Sequence, residues 1–159
     1  MQPGKPVSES MHEATHLVMP GDTNPHGAAF GGQVVAWIDL AGAVAAMRHA
    51  RSAVVTAAID ELQFISKIRL GHLVLLKAAV NLAGRTSMEV GVRVDSEDPT
   101  TGVRSHACSA YLTFVAVDEA GAPREVPPLM LETDEDRRRC REAEARRAHR
   151  LQSRMKARP

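Results

Sequence analysis

One acidic side chain stands out as a candidate for chemistry, Asp39. It lies midway along a largely apolar stretch, residues 31–50, where an unpaired carboxylate is costly. Three of the four residues three or four positions away are small, namely Ala36, Gly42 and Ala43. The structural alternative is a buried acid satisfied by local hydrogen bonds or by a cation. We favour a functional acid, because the small neighbours leave a cleared strip beside the carboxylate that a ligand would need.

Two further features precede this stretch. Asn24 lies in a cluster of turn-forming residues, 22–27, where asparagine before proline is common. Its amide could also hold a water molecule or polarise a carbonyl group, and spacing alone does not decide between these roles. Gly31 and Gly32 open the apolar stretch, where free N–H groups at a helix start can stabilise an oxyanion. The alternative is that these glycines only ease tight packing.

Other patterns are weaker candidates. His12 and His16 match the zinc-protease pattern H-E-x-x-H, but the segment continues into residues 17–19, which are typical of a strand. On a strand the two imidazoles would be about 13 Å apart and could not share a metal, so we predict no metal site. Cys108 lies in an apolar strand pattern, which indicates packing rather than a nucleophile. Cys140 lies in a charged segment, so we predict no disulfide and a reducing compartment.

Composition excludes several classes of protein. The chain has 159 residues, enough for one domain, with 44% hydrophobic and 25% charged residues. The net charge of +1 provides no global field for attracting nucleic acid. No apolar run reaches the roughly 18 residues that span a bilayer, and the first residues lack the order of a signal peptide. We therefore expect a cytoplasmic protein without a membrane or nucleic-acid partner.

The periodicity of apolar residues predicts the elements that position Asp39. Residues 31–50 read as one helix that is apolar almost all round, which is typical of a buried helix. A short strand, 13–19, precedes it, and a period of two then predicts four strands, at 54–64, 74–82, 88–94 and 103–118. The short reversal at 83–86 makes the second and third of these four strands a hairpin.

The economical arrangement of these elements is an antiparallel sheet wrapped around one central helix, an α+β hotdog fold. A single protomer would leave part of the helix and a sheet edge exposed, so we expect a dimer. We divide the chain into a flexible N-terminus (1–12), the hotdog domain (13–131) and an arginine-rich C-terminal helix (132–159). Thr133 to Asp136 resembles a capping box that opens this helix.

The arginine-rich helix has two interpretations. It could be a nucleic-acid arm, but acids are interleaved with the arginines and no aromatic residue is present for base stacking. We therefore predict a solvated helix. A role for its arginines in gripping phosphate groups stays open.

The sequence resembles the hotdog acyl-CoA thioesterases of the cytosolic acyl-CoA hydrolase type. The resemblance is carried by residues 24–32 with 37–39, and it continues through 55–56, Phe64, 84–90, 113–118 and 126–127. It covers roughly residues 13–132, and this ordered series is far more specific than any one motif. Lys67 stands in a segment where the family usually has proline, and His72 stands where it usually has aspartate. These departures bear on loop shape and CoA affinity rather than on the reaction.

The resemblance implies an enzyme that hydrolyses fatty acyl-CoA to fatty acid and CoA. It implies that Asn24 and Asp39 form the catalytic pair, contributed by different protomers, with Asp39 as general base or nucleophile. The amides near Gly31 and Gly32 would bind the oxyanion. CoA would contact the turn formed by Gly84, Arg85, Thr86 and Ser87, where Arg85 suits a phosphate. The family has no metal or bound cofactor and commonly forms a hexamer, a trimer of dimers.

Two alternatives within the same fold compete with this interpretation. A hydroxyacyl-thioester dehydratase needs a positioned histidine with a helix acid, and His26 is available, but its setting does not resemble that motif. A non-catalytic acyl-CoA-binding protein would keep the fold and the pocket, but the presence of both Asn24 and Asp39 argues against it. The preferred acyl chain length cannot be read from the sequence.

Overall fold

The computed structural model describes residues 2–158 as two helices and seven strands, with two short 3-10 turns at Val7–Glu9 and Pro20–Asp22. The helices are α1 (Gly31–Ala50) and α2 (Asp134–Lys156). The strands are β1 (Lys5–Pro6), β2 (His12–Leu17), β3 (Ala53–Phe64), β4 (Leu73–Ala83), β5 (Ser87–Glu97), β6 (Arg104–Val117) and β7 (Leu129–Met130). Neither helix in this part of the chain is long and apolar enough to cross a membrane.

Five of the strands form one antiparallel sheet in the order β2-β4-β5-β6-β3. The predicted hairpin is β4 with β5, in which Val80 pairs with Val90 across the ladder. The period-two segments and the single long helix therefore have the predicted arrangement, and the predicted hotdog fold is confirmed. The β3 strand ends the sheet, so one of its edges has no strand partner among residues 2–158.

Helix α1 packs against one face of this sheet. Ile38 and Ala45 of the helix are fully buried with Phe114 of β6. A Cβ atom added to Gly42 would lie 3.0 Å from the Phe114 ring, so a glycine is needed where the helix comes closest to the sheet. The small residue at position 42 thus serves packing, which corrects the expectation that it clears space for a ligand.

The opposite side of α1 is open. Leu40 is 65% exposed and Met47 is 41% exposed, and Ala36 lies on the same stripe. The prediction of a helix buried all round is therefore wrong for a single chain, because one sheet covers only one side of a helix. Exposed apolar residues on this scale indicate a surface that another chain covers.

Within the N-terminal segment, residues 2–12 contain β1, the 3-10 turn Val7–Glu9 and the first residue of β2. Strand β1 pairs in parallel with β7. The Lys5 ammonium group donates hydrogen bonds to the carbonyl oxygens of Arg48 (2.6 Å) and His49 (3.0 Å) at the end of α1. Because the last carbonyls of a helix lack internal partners, a cation there stabilises both segments.

Helix α2 begins with the predicted capping box. The Thr133 hydroxyl accepts the N–H of Asp136 at 3.0 Å, and the Asp136 carboxylate accepts the N–H of Thr133 at 3.0 Å. These two bonds satisfy backbone donors at the helix start, so the helix begins at Asp134.

One face of α2 packs on the face of the sheet opposite α1, so α2 is not solvated all round as predicted. The guanidinium group of Arg146 lies 3.6 Å from the centroid of the Tyr111 ring and donates to the buried Glu89 carboxylate at 2.7 Å. Arg150 donates to Asp60 of β3 at 2.6 Å. The number of arginines in the sequence could not reveal these contacts, because they depend on which side of α2 packs against the sheet.

The environment of His49 makes the stability of the fold depend on pH. Its Nε2 donates to the carbonyl of Pro127 (2.8 Å), while its buried Nδ1 has no partner among residues 2–158. Burial lowers the pKa of His49 below its usual 6.5, and the Lys5 charge adds to this although the Pro127 bond opposes it. The unfolded chain therefore binds a proton near pH 6.5 that the folded chain excludes, so His49 lowers stability as pH falls through 6.5.

We expect the free energy of unfolding to fall more steeply between about pH 7.5 and about pH 5.5 in the native chain than in His49→Gln, whose amide cannot titrate. Urea unfolding at both pH values measures this difference. Equal pH dependence in the two proteins would contradict the assignment.

Candidate active site

Asp39 lies on the open side of α1, beside β3. Its Oδ1 accepts a hydrogen bond from the Thr56 hydroxyl at 2.8 Å. No lysine or arginine among residues 2–158 forms an ion pair with this carboxylate, and no donor in that range contacts its Oδ2. Asp39 is half-buried. The carboxylate is therefore held at one oxygen without a compensating cation, and the other oxygen is available to a water molecule or substrate.

Thr56 is a residue that the sequence analysis did not assign to the site. It lies on β3 opposite Phe114, next to an irregularity in the β3–β6 pairing between Thr56 and Ala58. The available signal was a hydroxyl within the apolar run 53–58, on the strand that directly follows the helix carrying Asp39. Its partner could not be predicted, since a strand's register against a helix depends on the whole fold.

The two polar atoms of the Asn24 side chain differ in their hydrogen bonding within residues 2–158. Its Oδ1 accepts the backbone N–H groups of His26 (2.9 Å) and Ala28 (3.3 Å), so the carbonyl oxygen fixes the loop before α1. Its Nδ2 has no acceptor among residues 2–158. The amide group can therefore donate a hydrogen bond without disturbing the loop.

The chain does not bring Asn24 and Asp39 together on its own. The loop carrying Asn24 is fixed to the start of α1, where the Phe30 N–H donates to the Asp22 carbonyl at 2.7 Å. Asp39 lies eight residues beyond Gly31, which corresponds to about 12 Å along a helix. No hydrogen bond joins the two side chains in residues 2–158. A single protomer therefore provides the two groups at separate places.

The start of α1 provides unpaired donors. The N–H groups of Gly31 and Gly32 have no acceptor among residues 2–158, as expected in the first turn of a helix. A Cβ atom at Gly32 would lie 2.5 Å from the Phe30 ring, so a glycine is needed for that ring position. Phe30 and Phe64 are both half-exposed or more and flank these amides. An anionic oxygen could bind here beside apolar groups.

The predicted CoA-contacting residues form the turn between β4 and β5. The N–H of Gly84 donates to the Ser87 carbonyl (2.8 Å), and the carbonyls of Arg85 and Thr86 each accept a bond from Val126 and Ala116 respectively (2.9 Å each). The turn is therefore held on both sides. The Arg85 guanidinium is exposed, with Glu125 at 3.8 Å as its ion-pair partner, so a phosphate could replace that partner. No hydrogen bond links this turn to Asn24 or Asp39 within residues 2–158.

The weaker candidates have structural roles. His12 and His16 lie on β2, as predicted, and the His16 ring stacks on Trp37 at 4.6 Å. Cys108 is fully buried, and burial raises the pKa of its thiol to about 11, which makes it a poor nucleophile. No group of three or more His, Cys, Asp or Glu side chains in residues 2–158 is arranged to hold a metal ion.

Comparison of the sequence with known proteins places it among thioesterases. The model of the thioesterase superfamily matches residues 26–103. An uncharacterized acyl-CoA thioester hydrolase of Bacillus subtilis is 41% identical over 128 residues, which are 80% of this chain and 74% of that protein. The cytosolic acyl coenzyme A thioester hydrolase of the mouse is 34% identical over 143 residues, 88% of this chain. This chain spans only 37% of the mouse protein's length.

Solved structures give the same result. An apo-hexameric acyl-CoA thioesterase superposes with a TM-score of 0.93 at 44% identity, over 99% of this chain and 100% of that one. The acyl-CoA hydrolase of Staphylococcus aureus, solved with butyryl coenzyme A and coenzyme A, has a TM-score of 0.86 at 37% identity, over 97% and 96% of the chains. Alanine variants of one asparagine, one aspartate and one threonine of that enzyme have also been solved.

The single helix against a five-stranded antiparallel sheet, with the open carboxylate beside it, defines a hotdog thioesterase. The sequence identity to these relatives and the share of the chain that they cover then identify the family within this class. The chain belongs to the acyl-CoA thioester hydrolase family, which confirms the family predicted from the sequence.

Proposed function

We propose that the protein hydrolyses fatty acyl-CoA to a free fatty acid and CoA, with Asp39 as the group that activates water or attacks the thioester. The observation that carries the proposal is the Asp39 carboxylate, which is fixed by Thr56 and has no cation partner among residues 2–158. The spacing of the site residues adds support. Asn24, Asp39 and Thr56 are separated by 15 and 17 residues, the same intervals as the asparagine, aspartate and threonine replaced by alanine in the Staphylococcus aureus enzyme.

The chemistry follows from the free atoms of the site. As general base, the Asp39 carboxylate takes a proton from water, whose oxygen attacks the thioester carbonyl carbon. As nucleophile, the same oxygen forms an acyl-aspartate that water then hydrolyses. In either route the carbonyl oxygen becomes an oxyanion, which the N–H groups of Gly31 and Gly32 stabilise. The Asn24 Nδ2 donates to the water or the carbonyl, the C–S bond breaks, and CoA leaves as its thiol.

The exposed apolar surface supports a homodimer that completes this site. The edge strand β3 exposes Val55 and Ile59, and the neighbouring open side of α1 exposes Leu40 and Met47. Pairing β3 with a second copy would cover these side chains and satisfy the sheet edge. Asn24 of one protomer would then lie near Asp39 of the other. We further propose that three dimers form a hexamer, the assembly named for the apo-hexameric relative.

We also propose that the β4–β5 turn binds the CoA portion of the substrate. The held backbone of Gly84–Ser87 presents the exposed Arg85, and the Arg147 guanidinium of α2 lies 3.7 Å from the position of a Gly84 Cβ. Two guanidinium groups at one turn suit the phosphates of CoA. On this proposal CoA enters only as part of the substrate and no other cofactor takes part. We place the reaction in the cytoplasm, as for the mouse relative that is named as cytosolic.

The first test is the release of CoA thiol from acyl-CoAs of increasing chain length, with Asp39→Asn beside the native chain. The amide that this change introduces would still accept the Thr56 hydrogen bond, but it cannot take a proton or attack. We expect kcat to fall about 1,000-fold, within the range for loss of a general base. Glu119→Gln, a change of an exposed acid in the turn after β6, serves as the matched control. Binding of acyl-CoA by the native chain without thiol release would indicate a non-catalytic binding protein, and full activity of Asp39→Asn would refute the mechanism.

A second test concerns Thr56, which acts through Asp39 as a positioning residue. Thr56→Val keeps the side-chain shape and removes the hydroxyl. We expect kcat to fall about 10- to 100-fold with little change in KM, because a hydrogen bond to a charged group contributes roughly 1.5–3 kcal/mol. Thr56→Ser should restore most of the activity. If Thr56→Ser is as impaired as Thr56→Val, the hydroxyl does not position Asp39.

The third test asks whether the site is shared between protomers. Asn24→Asp retains the Oδ1 that holds the loop and removes the Nδ2 donor, so we expect it to fold and to lose activity. Neither Asn24→Asp nor Asp39→Asn should be active alone. When the two are co-refolded, half of the dimers contain one intact site, so activity should return to about a quarter of the native rate. Absence of recovery, with mixed dimers verified by native mass spectrometry, would place both residues of a site in the same protomer.

A further inference from the structure

A groove of about 440 Å³ lies on the face of the sheet opposite α1, between the strands and helix α2. None of the residues proposed for thioester hydrolysis lines it. Its polar and charged lining comes from β2, β4, β5, β6 and α2, and includes Arg93 of β5 and Ser109 of β6. This groove is therefore a concave surface separate from Asp39, and the thioesterase reaction does not explain its use.

Ser109 lines the groove and is the first of three side chains that are connected by hydrogen bonds. The Ser109 hydroxyl lies 3.1 Å from His106 Nε2, and His106 Nδ1 lies 3.1 Å from an oxygen of Asp95. Because an ionised carboxylate can only accept, His106 carries its proton on Nδ1 and donates it to Asp95. In this tautomer Nε2 is an acceptor, so Ser109 donates its hydroxyl proton there. This is the hydrogen-bond order of the Ser-His-Asp group of hydrolases.

A β-bulge creates this arrangement. Val94 pairs with Cys108, whereas the next residue, Asp95, pairs with His106, so Ala107 is an extra residue in β6. Both Ala107 and Cys108 point into the core and are fully buried. In a regular strand, residues three apart point to opposite faces, and only the extra residue puts His106 and Ser109 on the same face. Bulges that re-aim a side chain in this way are common beside active sites.

Arg93 gives the chain an electrostatic setting suited to acyl transfer. It lies directly opposite Ser109 in the β5–β6 ladder, and its Nε donates to both oxygens of Asp95 at 3.1 and 3.2 Å. Burial alone would raise the pKa of Asp95, but the hydrogen bonds from Arg93 and His106 and the charge of Arg93 outweigh it and lower that pKa. The terminal nitrogens of Arg93 make no hydrogen bond to residues 2–158. They are free to stabilise negative charge beside Ser109.

The charge of the groove indicates the class of ligand. Five cationic side chains line it, from Lys77, Arg93, Arg138, Arg139 and Arg146, and each has a carboxylate partner within 4.0 Å. Arg93 and Arg139 bond their partners through Nε alone, so their terminal nitrogens can bind a ligand that carries a carboxylate or a phosphate. We propose that Ser109, His106 and Asp95 form a second hydrolytic site, which cleaves short oxygen esters bearing an anionic group.

The reaction balances with water as the only co-reactant. Ser109 Oγ attacks the ester carbonyl carbon while its proton passes to His106 Nε2, and the oxyanion faces Arg93. The carbon–oxygen bond to the alcohol breaks, and the alcohol takes the proton from His106. Water, deprotonated by His106, then attacks the acyl-serine, which releases the acid and returns the proton to Ser109. Asp95 stabilises the imidazolium in both steps.

The test uses the full-length Asp39→Asn protein, so that thioester hydrolysis does not contribute. The probe is 4-acetoxy-3-nitrobenzoate, an anionic acetate ester with a coloured product, and its neutral methyl ester is the comparison substrate. We expect Ser109→Ala to reduce turnover about 100-fold. Ser105→Ala is the matched control, because Ser105 lies on the same strand and bonds only Ser96. We expect the anionic probe to be preferred about tenfold in kcat/KM, and an acetyl group to appear on Ser109 by mass spectrometry.

Equal turnover by Ser109→Ala and Ser105→Ala, or the absence of acetylated Ser109 in a quenched reaction, would overturn the proposal. If Ser109→Ala fails to fold, Asp95→Asn decides. That change favours the wrong histidine tautomer, so it should also reduce turnover by about 100-fold or more. Native-level turnover by a folded Asp95→Asn protein would equally overturn the proposal. Because all measurements use oxygen esters without Asp39, their result is independent of the proposed thioesterase function.

Discussion

The fold depends on one geometric constraint, which is that a five-stranded sheet covers only one side of a long apolar helix. Ile38 and Ala45 are buried on the covered side, while Leu40 and Met47 remain exposed on the other. Asp39 lies at the boundary, where it meets Thr56 of the edge strand. A carboxylate enclosed on all sides would require a cation or a proton, and one in open water would have no substrate pocket. The half-covered helix avoids both outcomes. The apolar side chains on its open side need a second chain to bury them.

The features of the fold that the sequence could predict are those set by local sequence patterns. The bounds of α1, the β4–β5 hairpin and the capping box at Thr133 follow from local periodicity and from short-range side-chain preferences, so they could be read from the residues. The identity of Asp39 as an unpaired acid was also accessible, because a carboxylate within an apolar helix is conspicuous. The reason for Gly42 was not, since its contact with Phe114 depends on how closely the helix approaches the sheet.

Long-range contacts account for the features of the structure that the sequence did not predict. The hydrogen bonds from Lys5 to the end of α1 join residues more than forty positions apart. A short polar segment in the sequence gives no indication of such bonds. The docking of α2 depends on Arg146 and Glu89, two charged residues whose pairing is invisible until the helix meets the sheet. The bulge at Ala107 is likewise hidden, because the apolar pattern of β6 reads as regular on both sides of it. Each of these features places polar groups that local rules would assign to solvent.

The two faces of the sheet therefore differ in chemical character. The face toward α1 is apolar and ends at an exposed edge, which suits an acyl chain and a second protomer. The face toward α2 contains ion pairs, with Arg146 and Arg150 joined to Glu89 and Asp60. Since Asp60 lies on β3, four residues beyond Thr56, α2 is tied to the strand that fixes Asp39. The arginine-rich helix thus stabilises the edge strand from the far side of the sheet, which connects a segment outside the hotdog core to the geometry of the site within it.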